Sequence, residues 1–231
     1  MSVPIRGVLF DCVGTLLRPA PDVATVYQQV GGQFGATLDR ATVKRRFQEA
    51  FRRHFSPSTP AITSQADERR RWHAVVGDVF VEQSHATAEI LAVLWEHFAR
   101  PAHWRLFEDV GPTWKSLRHG GYVIGIASNF DRRLYRLCAS ISPLDSCSHL
   151  FASVDIGFRK PDIRFFRAIE RHLALAPASL LLIGDDGRND LAGAVQAGWH
   201  ALRIDRDGRS TDATGRTVAT LEATIEYLNS A

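Results

Sequence analysis

Short apolar runs recur along the chain, each closed by a polar or glycine-containing turn. They fall at residues 5–10 (IRGVLF), Tyr122–Ala127 (YVIGIA), Leu180–Ile183 (LLLI) and His200–Ile204 (HALRI), with a weaker one at Leu150–Val154. Runs this short and this continuous suit strands buried on both faces of a sheet. Between them, apolar positions spaced three and four apart predict helices over Arg132–Ala139, Ile163–Leu173 and Asp190–Ala197. Strands alternating with helices predict an α/β fold with a Rossmann-like, mostly parallel sheet.

Residues 21–102 break this rhythm. They hold no strand pattern and read as helices near Val23–Phe34, Asp39–Phe55, Ser64–Val81 and Thr87–Phe98, separated by Gly31-Gly32 and Gly35, by Ser56–Pro60, and by Ser84-His85. The expected organisation is a discontinuous α/β core domain, residues 1–20 and 103–231, with a helical cap domain over 21–102. The stretch DRDGRSTDATGR reads as a loop leading to a last helix near Val218–Leu228.

The 231 residues are 45% hydrophobic and 23% charged, ordinary for a globular protein. No window nears the ~20 apolar residues of a membrane helix, and MSVPIRGVLFDC lacks the features of a signal peptide, so no membrane partner and a cytoplasmic location are expected. Cys12, Cys138 and Cys147 form neither an even set nor a CxxC pair, predicting reduced thiols. The formal net charge is +3, and the basic runs at Lys44–Arg46, Arg52-Arg53 and Arg69–Arg71 are too sparse for a nucleic-acid stripe and read as solvated helix faces. Nothing in the composition sets an oligomeric state. Only three of the 28 basic residues are lysines, Lys44, Lys115 and Lys160, so each one stands out.

In an open parallel sheet the ligand lies beyond the carboxyl ends of the strands. There the chain carries Asp11-Cys12-Val13-Gly14-Thr15, Ser128-Asn129, Arg159-Lys160-Pro161 and Gly184-Asp185-Asp186-Gly187-Arg188-Asn189-Asp190. A carboxylate, a hydroxyl, an ammonium and an acidic cluster gathered in one crevice suit attack on a phosphoryl group, where neutralising charge is most of the task. Asp11 is the candidate nucleophile, and Asp185 and Asp190 are candidate ligands of Mg²⁺, which prefers oxygen donors. Plainer roles compete for several of these residues. Asp186 reads as a loop or capping residue, Ser128 and Asn129 could cap a helix although their place favours a phosphate contact, and Asp131–Arg133 read as a helix start. The histidines show no zinc spacing, the five tryptophans read as packing, and Cys12 reads as a packed thiol.

FDCVGTLL, IASN, GFRKPD and IGDDGRNDLAGAVQAG, in that order and with a helical insert after the first, resemble the four motifs of the haloacid dehalogenase-like hydrolase superfamily. SNFDRR and GFRKPD further resemble its REG-2-like branch. The resemblance implies Asp11 as nucleophile and metal ligand, Ser128 as a hydrogen-bond donor to the phosphoryl group, Lys160 as the cation orienting both, Asp185 as a Mg²⁺ ligand, and Asp190 as a direct or supporting one. It also implies that the backbone carbonyl of Val13 reaches the metal, and that the substrate is a small phosphorylated molecule.

Val13 is the departure, since most phosphatases of the superfamily carry there a second Asp that acts as general acid and base. Losing such a group typically costs 10² to 10⁴-fold, so slow turnover, or a silent member that binds a ligand or partner, is the rival expectation. A metal-free 2-haloacid dehalogenase needs no proton donor but lacks the carboxylate matching Asp185. A phosphonoacetaldehyde hydrolase would need a cap lysine for a Schiff base, and Lys44 is the only candidate.

Overall fold

The computed structural model describes residues 3–56, 61–208 and 216–230. Five of the apolar runs form strands: β1 (Gly7–Phe10), β4 (Val123–Ser128), β5 (His149–Ala152), β6 (Leu180–Gly184) and β7 (His200–Ile204). With the short β8 (Thr217–Val218) they make one parallel six-stranded sheet in the order β5-β4-β1-β6-β7-β8. The alternation along β1 explains why both faces are covered. Val8 and Phe10 enter one apolar core with Ile126 and Ile183, while Leu9 enters a second with Phe165, Phe166 and Trp199. Each such side chain contributes about 1.5–3 kcal/mol through burial.

The faces are clothed by α5 (Val110–His119), α6 (Arg133–Cys138), the short α7 (Ser153–Ile156), α8 (Ile163–Leu173), α9 (Gly193–Gln196) and α10 (Ala223–Ser230). The sequence pattern did not single out α5. The helix expected over Asp190–Ala197 is instead a π-helical turn, Gly187–Ala192, running into α9. Most of the loop predicted after Arg206 lies outside the described residues.

The stretch after β1 is helical, as its spacing predicts: α1 (Val23–Gln33), α2 (Arg40–His54), α3 (Gln65–Val79) and α4 (Thr87–His97). Asp22, Asp39 and Ser64 cap the first three by accepting backbone N–H groups, which fixes where each begins. These helices bury Val26, Val30, Val43, Val76, Ile90 and Leu94 in a core of their own, distinct from those under the sheet. Among the described residues, two stretches of backbone pairing join this insert to the rest. An antiparallel pair that the sequence reading missed, β2 (Leu17–Pro19) with β3 (Trp104–Leu106), carries the chain out and back. Residues 61–63 also lie along 157–159, bonded from Thr63 N–H to the Gly157 carbonyl (3.0 Å) and from Arg159 N–H to the Ala61 carbonyl (2.9 Å). Among the described residues, no helix is long and apolar enough to cross a membrane.

Candidate active site

Sheet register assembles the site. Phe10 lies beside Ile126 on one side and Ile183 on the other, so the residues that follow β1, β4 and β6 emerge at one level. The chain runs from β1 outward through β4 to β5, then returns to β6 on the opposite flank of β1. This reversal opens a crevice above β1, and Asp11, Ser128 and Asp185 stand around it.

Asp11 is held where the chain turns sharply, with the N–H groups of Leu16 and Leu17 both bonded to the Cys12 carbonyl. Gly14 makes that turn at φ +88°, and a Cβ there would lie 2.4 Å from Oδ2 of Asp185. Only glycine combines this backbone with so close a carboxylate. Gly184 is constrained likewise by Asp190, whose Oδ2 would stand 2.1 Å from an added Cβ. Arg206 braces the turn from outside, donating to the Thr15 carbonyl (2.8 Å) and to Asp109 (2.8 Å).

Lys160 is 1% exposed, and its ammonium donates to Asp11 Oδ1 (2.8 Å), Asp190 Oδ1 (2.5 Å) and the Ala127 carbonyl (2.8 Å). Those three bonds use all three of its donors. Lys160 therefore fixes two carboxylates, and contact with any further acceptor requires exchange of one of these bonds. Burial opposes its charge, yet Asp11 and Asp190 hold its pKa above the ordinary lysine range. Asp190, 2% exposed, uses one oxygen on Lys160 and the other on the Asp186 N–H (3.1 Å), a pattern that suits positioning Lys160 more than binding a cation directly.

Asp11, Asp185 and Asp190 bring ligand oxygens within 4.8 Å of one another. Asp185 keeps part of its surface in the cleft water, but the surrounding protein and the charges of Asp11 and Asp190 push its pKa up to about 7. Burial raises Asp190 to about 6 against the pull of Lys160. Three carboxylates facing one ammonium leave two negative charges if all ionise, so the donor set fits a hard divalent cation.

Asn129, expected as a phosphate contact, lines the crevice and is bound to the Lys160 backbone. Its amide oxygen accepts the Lys160 N–H (2.7 Å) and its amide nitrogen donates to the Lys160 carbonyl (2.9 Å), clamping that loop against the end of β4. Ser128, at the tip of β4, does line the crevice, as does Val13. Asp186 caps the π-helical turn through the N–H groups of Arg188 and Asn189, as its plainer reading expected. Cys12, Cys138 and Cys147 are free thiols, and the Cys138 thiol beside Cys12, with burial, pushes Cys12 well above the usual thiol range. Lys44 is exposed on α2 and does not line the crevice, which leaves it no part in chemistry there.

Sequence reading missed what closes the crevice. Asp131, 2% exposed, pairs with Arg133 (2.6 Å), whose guanidinium lies 3.7 Å from the centre of the Trp95 ring on α4. Asp131–Arg133 do open α6 and Trp95 does pack in the insert's core, as the sequence predicts, but spacing alone does not show that they meet. Together they clasp the insert over the strand ends and bound a cavity of about 410 Å³.

A model of the haloacid dehalogenase-like hydrolase family matches residues 5–198, a span that includes the Asp11 turn, Lys160 and the Asp185–Asp190 loop. Haloacid dehalogenase-like hydrolase domain-containing protein 3 of Danio rerio is 28% identical over 217 residues, covering 91% of this chain and 90% of its own. A Mycobacterium tuberculosis protein named as a phosphatase is 30% identical over 238 residues, covering 96% and 97%. Among solved structures, the putative hydrolase YfnB of Bacillus subtilis, bound to magnesium, superposes with a TM-score of 0.73 at 19% identity over 98% of this chain and all of its own. A defluorinating L-2-haloacid dehalogenase reaches 0.75 at 16% identity, over 99% and 100%. Both likenesses are of fold. With the family's model running through every strand end that builds the crevice, the chain belongs to the haloacid dehalogenase-like hydrolases.

Proposed function

We infer that the protein is a Mg²⁺-dependent hydrolase of phosphate monoesters, working through an acyl-phosphate on Asp11, with residues 21–102 as a cap that keeps bulk water from the site. The observation that carries this reading is the charge balance of the crevice: Asp11, Asp185 and Asp190 around the single ammonium of Lys160. A halide-expelling site needs one nucleophilic carboxylate and no excess of negative charge beside it. A phosphoryl-transfer site needs a cation to offset its carboxylates and the phosphate together. The M. tuberculosis relative named as a phosphatase supports the same choice.

Asp11 and Asp185, with the backbone carbonyl of Val13, would hold Mg²⁺. The bound ion supplies charge that offsets the phosphoryl oxygens. Asp11 gives one oxygen to Lys160, leaving the other for substrate. That oxygen attacks phosphorus, the bond from phosphorus to the ester oxygen breaks, and the alcohol leaves. Water then attacks phosphorus, releasing phosphate and restoring Asp11. Ser128 donates to a phosphoryl oxygen, Lys160 orients Asp11 through its ion pair, Asn129 holds Lys160 in place, and Asp190 fixes its ammonium. Val13 offers no proton to the departing alkoxide, so solvent must provide it and rate follows leaving-group quality.

A panel of phosphate esters, phosphonates and 2-haloacids, each with and without Mg²⁺, tests the reading. Ester hydrolysis that requires Mg²⁺ is expected. Metal-free halide release, or no turnover of any of the three, would overturn it.

A further inference from the structure

The two sides of the cavity differ in kind, and the difference bears on what enters. Its floor is the charged crevice. On the side built by the helical insert, Glu68 is the one charged lining residue among those described, and it is already engaged by Arg71 (2.5 Å) and Thr63 (3.2 Å). The rest of that wall is aliphatic or aromatic.

Phe47, Phe51, Phe55 and Trp72 form a continuous ring cluster there, with centroids 4.7 Å apart for Phe51–Phe55 and 5.2 Å for Phe55–Trp72. These rings are not a filled core. Phe51 is 40% exposed and the other three are only half-buried, although all four line a concave space continuous with Asp11 and Lys160. Apolar surface left wet inside a cavity is surface that a ligand gains by covering.

We propose that this wall selects phosphate monoesters whose organic part is an aromatic or other flat apolar group, the phosphoryl on the Asp11–Lys160 floor and the rings of Phe47, Phe51, Phe55 and Trp72 against the body. The proposal rests on the phosphatase reading of the floor. A sugar phosphate fits the wall less well, because over most of that side its hydroxyls would exchange water for rings, with the Arg159 guanidinium, 5.0 Å from the centre of the Phe55 ring, a donor at its edge. Offset or edge contacts with a flat ring match the mutual geometry that the cluster already shows.

The test separates the body of the substrate from its leaving group by comparing esters of primary alcohols only. The ester of 2-naphthylethanol should exceed glycerol phosphate and ribose 5-phosphate in kcat/KM by ~10²-fold, the order expected from covering one ring system. Phe51→Ser should shrink that preference to a few-fold, and Phe51→Leu, which keeps apolar area, should retain most of it. Because a silent site would hide any rate, the same comparison is made by binding. Naphthylmethylphosphonate should quench tryptophan fluorescence and compete at concentrations at least ~10-fold below methylphosphonate, with that gap also lost in Phe51→Ser. Esters hydrolysed with ribose 5-phosphate equal to or ahead of the naphthyl ester would overturn the proposal while leaving the phosphatase reading standing. Absence of all turnover together with a strong, Phe51-dependent phosphonate preference would do the reverse. Equal binding of the two phosphonates would overturn the proposal whatever the rates.

Discussion

The floor of the cavity and its wall are made in opposite ways. The floor consists of carboxylates and one ammonium on strand ends and the loops and turn beside them, placed by local features: register beside β1, the positive φ of Gly14, the close approach at Gly184, the Asn129 clamp on Lys160. The wall consists of side chains on helices that pack into a separate core, where shape and apolar area count and no single polar group is decisive. The difference teaches that chemistry and selectivity are separable here. Substitutions in the floor should change rate and metal response, whereas substitutions in the wall should change stability and preference.

Lys160→Met gives the largest expected effect on the floor. Removing the charge that offsets Asp11 and Asp190 should lower turnover by ~10²-fold or more, as for loss of one preorganised electrostatic contact, and a stopped assay on any hydrolysed ester measures it. Its counterpart in the wall is Leu94→Ala on α4, buried in the insert's core. That change should cost about 2–4 kcal/mol by denaturant unfolding through lost burial and the cavity left behind, with the Mg²⁺ response intact. If Leu94→Ala abolished the metal response as well, floor and wall would not be separable.

Mg²⁺ itself should raise the unfolding temperature, by about 2.7 kcal/mol of added stability at a hundredfold excess over its dissociation constant. Asp185→Asn should lose most of that shift in a thermal melt. The direction in pH follows from the raised pKa of Asp185, about 7. Without metal, the folded state takes up this proton more readily than the unfolded chain, so the contribution of Asp185 to stability is greatest in acid and falls as pH rises from about 4 toward 7. Mg²⁺ competes with that proton, so the metal-induced shift should grow over the same window. Smallest of all, Val13→Asp should raise hydrolysis of alkyl esters by ~10-fold while changing activated aryl esters less, which would bring the floor closer to that of a phosphatase with its own general acid. No change in the alkyl-to-aryl ratio would show that the proton arrives by another route.

The floor was largely legible in the sequence and the wall was not, for a physical reason. Asp11 and Asp185 each directly follow an apolar run that forms a buried strand, and parallel strands deliver their carboxyl ends to one edge, so positions 11 and 185 meet without any knowledge of the intervening helices. Lys160 lies farther out, in the loop beyond α7, and reaches the same crevice because Asn129 clamps that loop against the end of β4. The Asn129 clamp was not legible, because nothing in SNFD says that the side chain turns toward the Lys160 backbone. Asp131 and Arg133 do open α6, but their pairing under Trp95 was not legible because it depends on how α4 docks, a contact between residues far apart in the chain. Trp72 and Trp95 do pack against the insert's core, and their place along the cavity was not legible for the same cause. Helical periodicity tells which side of α2 or α3 is apolar, but not how much of that side the neighbouring helices leave uncovered. The β2–β3 pair escaped notice because each strand has only three residues, too few for alternation to register.

The central claim is that Asp11 carries the phosphoryl group between two steps. Mixing the protein with Mg²⁺ and a hydrolysable phosphate ester, quenching in acid within one turnover, and mapping the peptide that contains Asp11 by mass spectrometry tests it directly. The account predicts one phosphoryl group on Asp11, appearing as the alcohol is released and disappearing as free phosphate forms, and absent from Asp11→Asn, which should also lose turnover by ~10⁴-fold or more as expected for removal of a covalent nucleophile. Ester hydrolysis at an unchanged rate in Asp11→Asn, or steady turnover with Asp11 never phosphorylated, would contradict it.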